Sequence, residues 1–116
     1  MDWNKEKLTS RADLKIEDLE ELFAPNFIIK ANEREYDATY QNYFEFLNTF
    51  RSDIEMIDYQ VQEYLNAEST VVMPLTATVK RTEGTEDVFD AIMLIKFDDS
   101  GKIVHWQEVY STRPTE

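Results

Sequence analysis

The sequence predicts an α+β fold. Apolar residues recur at helical spacing in the first half, alternate at period two in the second, and turn-forming clusters break the second half at hairpin intervals. Ile16, Leu19, Leu22 and Phe23 follow an acidic first turn of Glu17 and Asp18, and Pro25 closes the segment, so a helix is predicted over residues 16 to 24. Upstream, Trp3, Lys7, Leu8 and Leu14 fit a further short helix, with Ser10 and Asp13 as candidate caps for the next element. Phe27, Ile28 and Ile29 form a short β-rich run ahead of the polar Asn32-Glu33-Arg34-Glu35, after which Asp37 is placed to cap a helix beginning at Ala38. Tyr40, Tyr43, Phe44, Leu47 and Phe50 put one apolar stripe on that helix, over residues 38 to 51. Four strands follow, residues 54 to 65, 70 to 81, 86 to 97 and 102 to 111. Their connections are Asn66-Ala67-Glu68-Ser69, Arg81-Thr82-Glu83-Gly84-Thr85 and Asp98-Asp99-Ser100-Gly101, each suited to an antiparallel hairpin. With 116 residues, no internal repeat and no Pro/Gly/Ser-rich linker, one domain spanning 1 to 116 is expected.

Charge and composition remove several function classes. A net charge of -12 repels phosphate backbones and anionic lipid, so neither nucleic acid nor a membrane surface is an expected partner. No run reaches the roughly 20 apolar residues of a membrane span, and Met1-Asp2-Trp3-Asn4-Lys5-Glu6-Lys7 lacks the apolar stretch of a signal peptide. Zero cysteines exclude thiol catalysis and disulfides, and the cytoplasm is the expected compartment. His105 is the sole histidine and cannot by itself supply a zinc site, while the turn at Asp98 lacks the spaced oxygen ligands of a calcium loop. Gly84 and Gly101 stand far apart, so no phosphate-cradling loop exists, and no nucleophile elbow is present. Neither a metal nor an organic cofactor is expected.

The element order, Leu22-Phe23-Ala24-Pro25-Asn26-Phe27, and the ending Phe97-Asp98-Asp99-Ser100-Gly101-Lys102-Ile103-Val104-His105-Trp106 together resemble the SnoaL-like branch of the nuclear transport factor 2-like superfamily. The resemblance covers nearly the whole chain. It implies a cystatin-like cone, a curved and mostly antiparallel sheet wrapped around N-terminal helices, with a pocket at the open end and sheet-to-sheet homodimers. Relatives of this kind include polyketide cyclases, ketosteroid isomerase, limonene epoxide hydrolase, scytalone dehydratase and binding-only proteins, so the fold alone does not name a function. Aligned on the isomerase, its general-base aspartate falls at Ala31, its oxyanion-hole aspartate at Met93 and its tyrosine donor near Lys7, which argues against steroid isomerisation. The epoxide hydrolase ending resembles Trp106 to Ser111, with Ser111 where the last catalytic aspartate would stand.

Strand parity puts Val104, Trp106, Glu108 and Tyr110 on one face, and Ile103, His105, Gln107 and Val109 on the other. The resemblance turns the Trp106 face into the cone, toward the apolar faces of Phe89, Ala91, Met93, Ile95 and Phe97 and of Met73, Leu75, Ala77 and Val79. Glu108 is then the candidate catalytic acid or base, with Trp106, Tyr110, Met93 and Ile95 as candidate ligand contacts. The competing reading seats Glu108 at a wet rim or beside a basic partner. Asn32 could orient a ligand carbonyl or serve as a turn residue, and Tyr43 could lend a hydroxyl or belong to the core. His105 and Asp90 fall on the outer face, where Val88, Ile92, Leu94, Ile103 and Val109 invite a homodimer. Two functions remain open: a small-molecule protein taking an apolar or aromatic compound, with proton transfer through Glu108, or a non-catalytic dimeric module whose cone is filled by its own side chains.

Overall fold

The computed structural model describes residues 7–113, so Trp3 lies outside the described residues. Lys7 is helical and residues 8–14 run on through turns and bends, with Leu8 and Leu14 buried; the remainder of the short helix expected upstream lies outside the described residues. Arg51 holds this segment in place by donating from Nη1 to the carbonyls of Thr9 and Ala12 at 2.8 and 2.7 Å.

Helix α1 spans Ile16–Leu22, two residues shorter than its apolar spacing predicts. Phe23 has already turned extended, with φ -110° and ψ 151°, and the residue before Pro25 is sterically biased the same way. The exposed carbonyls at the end of so short a helix are met from afar, for the Lys102 ammonium donates to those of Glu20 and Glu21 at 2.9 and 2.7 Å.

Strand β1, Phe23–Ala31, and strand β2, Arg34–Thr39, form a hairpin around Asn32 and Glu33. The sequence pattern predicts polar loop at 32 to 35 and a helix cap at Asp37, and both expectations are corrected. Asp37 stands in the ladder opposite Ile28, and buried Ala38 anchors the strand to the core opposite Phe27. Helix α2 therefore starts later, at Tyr40–Phe50, with Thr39 as its cap. The Asn42 amide N–H donates to Thr39 Oγ1 at 3.3 Å, and Asn42 Oδ1 accepts from the Thr39 N–H at 2.8 Å. Thr39→Ala should cost about 1 kcal/mol in urea unfolding, against less than about 0.5 kcal/mol for Asp37→Ala. The reverse ranking would contradict this cap assignment.

After a single 3-10 turn at Arg51–Asp53 come β3 (Ile54–Val61), β4 (Leu65–Ala67), β5 (Thr70–Arg81), β6 (Glu86–Phe97) and β7 (Ile103–Thr112). Residues 66 and 67, expected in a turn, instead pair with Val71 and Thr70, and the reversal is made by Glu68, at φ 51°, with Ser69. The sheet order is β2-β1-β7-β6-β5-β3, with β4 beside β5. Among the described residues only β1 and β7 run parallel, and the other pairings are antiparallel. Irregularities in register between Phe23 and Ile28, Ile54 and Met56, and Lys96 and Phe97 bend the strands, and the seven-strand mixed sheet curves around the helices.

The last of these irregularities changes which residues face inward. Lys96 pairs with His105 but Phe97 pairs with Ile103, so Val104 is the extra residue in β7. Ile103 is consequently buried with Phe23, at 2% exposure, and Val104 is only half-buried. Strict alternation expects the opposite, and Ile103 leaves the proposed outer patch for the core. From His105 onward parity is regular, and Trp106 lies inside at 6% exposure.

Candidate functional site

The concave side of the sheet and α2 enclose a cavity of about 620 Å³. Its wall is apolar where β5 and β6 face it, through Leu75, Ala77, Val79, Ala91 and Met93, and the described residues leave the cone open. Glu108 is the one carboxylate among the described residues that line it. On the sheet Glu108 stands between two strands, opposite Ala31 of β1 and Met93 of β6. These are the two positions at which the isomerase resemblance would put aspartates, and both border the cavity. Glu108 thus has a methyl group on one side and a thioether on the other.

Burial pushes the Glu108 carboxyl above its ordinary range, because ionising it would put a charge against apolar neighbours. The Trp106 side chain and the charge of Arg34 pull the other way. Tyr43, reaching over from α2, is buried with its ring edge-on to Phe23 and Phe27, each at 5.4 Å. Burial, then the charge of Glu108, pushes its phenol well above the usual range, so Tyr43 offers a proton-bearing hydroxyl.

Of the residues singled out from sequence, Trp106, Glu108, Tyr110, Met93 and Tyr43 border this cavity, and Ile95 and Asn32 do not. Ile95 is core, opposite Trp106 on the neighbouring strand. Asn32 turns the β1–β2 hairpin at φ 54°, a left-handed conformation that asparagine tolerates. Its N–H donates to the Glu108 carbonyl at 2.8 Å and its Oδ1 accepts from the Tyr110 N–H at 2.9 Å. Asn32 therefore positions the strand that carries the acid, as a backbone clamp rather than as part of the cavity wall.

Other wall residues escape a sequence reading. Arg34 and Tyr36 come from β2, a strand whose polar sequence conceals it, and Tyr59 comes from β3. Phe46 lies off the predicted helical stripe but stacks on Tyr43 at 6.0 Å and on Phe50 at 5.9 Å, extending the aromatic wall toward solvent. His105 is on the outer face, bonded to Gln107 at 2.9 Å, and Asp90 is held there by Arg113 at 2.8 and 2.9 Å. Among the described residues no group of three or more metal-ligating side chains gathers, and no helix is long and apolar enough to cross a membrane.

Solved structures repeat this architecture. A nuclear transport factor 2-like protein of unknown function from Exiguobacterium sp. 255-15 superposes with a TM-score of 0.70 at 18% identity, over 82% of this chain and 81% of that one. A candidate SnoaL-like polyketide cyclase from Jannaschia sp. CCS1 gives 0.71 at 13% identity, over 95% and 80%. An epoxide hydrolase of M. tuberculosis, resembling limonene epoxide hydrolase, gives 0.66 at 10% identity, over 83% and 70%. At such identities the shared property is the fold. No curated protein matches the chain. The sequence profile of the SnoaL-like domain, however, matches residues 8–106, which takes in every strand as far as Trp106 in β7, and this chain belongs to the SnoaL-like domain family.

Proposed function

We propose that the protein binds an apolar or aromatic, carbonyl-bearing small molecule in the cone and transfers a proton to or from it through Glu108. The observation that supports this reading is a single carboxyl, among the described residues, on a mostly apolar cavity of about 620 Å³, a volume in the usual range for ligand sites. A carboxyl raised by burial is suited to donate and reclaim a proton near neutral pH. The Tyr43 hydroxyl and the Trp106 indole add hydrogen-bond donors beside it. A suitable probe is 2-tetralone, an aromatic ketone with acidic α-protons. Proton NMR in D₂O should show the protein accelerating α-deuteration, and native mass spectrometry should show ligand retained from expression. Absence of both would count against the reading, and would favour the non-catalytic module.

A homodimer through the outer sheet face belongs to the same proposal. Ile92 and Val109 are 54% and 57% exposed and lie opposite each other on adjacent strands, with Val88 and Leu94 half-buried along β6. Light scattering should give about twice the 13.7 kDa of one chain, and Ile92→Asp should shift it toward the single-chain mass. A single-chain mass for the unaltered protein at high micromolar concentration would refute the dimer.

A further inference from the structure

We propose that Arg34 anchors a ligand carboxylate, so that the compound entering the cone is an amphipathic acid with an aromatic or alicyclic body. This rests on the reading of the cavity as a ligand site. Arg34 begins β2, opposite Ala31, which is itself opposite Glu108, so cation and acid occupy one wall of the cavity two strands apart.

Compensation of charge singles out this residue. Among the described residues two arginines border the cavity. Arg81 is neutralised, by Asp53 at 3.2 Å and Asp87 at 3.1 Å. Arg34 is not, since no described carboxylate comes within 4.0 Å of it, Glu108 included. Arg34 is thus a cation at the edge of the cavity with no acid in direct contact, in a chain of net charge -12. Its sequence neighbour Glu35 faces the other way, opposite Lys30.

Hydrogen bonding supports the same assignment. Arg34 Nη2 donates to Tyr110 Oη at 3.4 Å, so the tyrosine oxygen accepts and its own hydrogen is left to donate elsewhere. The remaining guanidinium N–H groups and this phenol together match the two oxygens of a carboxylate. A phosphate dianion fits less well, as one arginine neutralises half its charge and no glycine loop supplies backbone N–H groups. Tyr36, Phe46 and Phe50, each partly exposed on the same cavity, supply apolar contact for the body of an acid whose head remains at Arg34.

Isothermal titration with 2-naphthoic acid and its uncharged isostere 2-naphthamide tests the anchor. The unaltered protein should bind the acid about tenfold or more tighter than the amide. Arg34→Gln should remove that preference by weakening the acid, with amide affinity held within about twofold, and Arg34→Lys should retain part of it. Equal binding of acid and amide by the unaltered protein, or undiminished acid binding in Arg34→Gln, overturns the anchor while the ligand site stands. If neither compound binds the unaltered protein, the ligand site falls and the anchor with it.

Discussion

Glu108→Gln is expected to lower catalysed α-deuteration of a bound ketone by roughly a hundred- to ten-thousand-fold, with affinity for a neutral ligand little changed. The amide keeps the shape of the side chain, but it cannot exchange a proton. The same variant reports on burial through the pH dependence of stability. Because the folded protein raises the Glu108 pKa above its ordinary 4.5, the folded state binds the proton more tightly than the unfolded chain. Protonated Glu108 is therefore favourable to folding below pH 4.5, and that contribution is lost as pH rises through the raised value. Urea unfolding across pH should show Glu108→Gln gaining on the unaltered protein over that window and holding a constant advantage above it. Glu108→Leu should be more stable at neutral pH by about 0.5–2 kcal/mol, as a buried acid without a paired cation is costly. Parallel pH profiles for the unaltered protein and Glu108→Gln would mean that Glu108 is solvated and would remove the basis for its proton transfer.

Phe23→Ala should destabilise the fold by about 3–5 kcal/mol. Phe23 is 1% exposed and stands where α1 passes into β1. Its ring stacks on Phe27 at 4.5 Å and lies 5.4 Å from Tyr43 and 6.1 Å from Trp106. Its carbonyl accepts from the Tyr40 hydroxyl at 2.9 Å, which ties α2 to the same point. One truncation thus removes contacts with both β1 and β7 and with α2, and it leaves a void beside an already open cavity. Phe50→Ala, at a ring 42% exposed on the rim, should cost less than about 1 kcal/mol. Urea unfolding of both variants decides the matter. A loss below about 1.5 kcal/mol for Phe23→Ala would show that the aromatic cluster is dispensable.

The long strands were legible because alternation is a local property. Met73, Leu75, Ala77 and Val79 in β5, and Ala91, Met93 and Ile95 in β6, declare one inward face without reference to any partner, and all are buried. The same parity carried Glu108 onto the Trp106 face of β7. Helix α2 was legible from its stripe, although its start was not: two strong capping residue types, Asp37 and Thr39, stand two positions apart, and only pairing of Asp37 with Ile28 leaves Thr39 as the cap.

Residue spacing along single segments was enough to establish the α+β class, the face that Glu108 shares with Trp106 and the apolar faces of β5 and β6, while the resemblance to the SnoaL-like family turned that face inward. The remainder came from long-range pairing. Strand β2 is mostly polar and exposed because it is an edge strand, so no hydrophobic pattern marks it, and Arg34 reaches the cavity only through its pairing with β1. The inward turn of Ile103 depends on a bulge set by register against β6. Asn32 became a clamp on the β7 backbone because β1 and β7, far apart in sequence, lie side by side in the sheet. Each of these outcomes depends on which strand lies beside which, a choice that no short stretch of residues encodes.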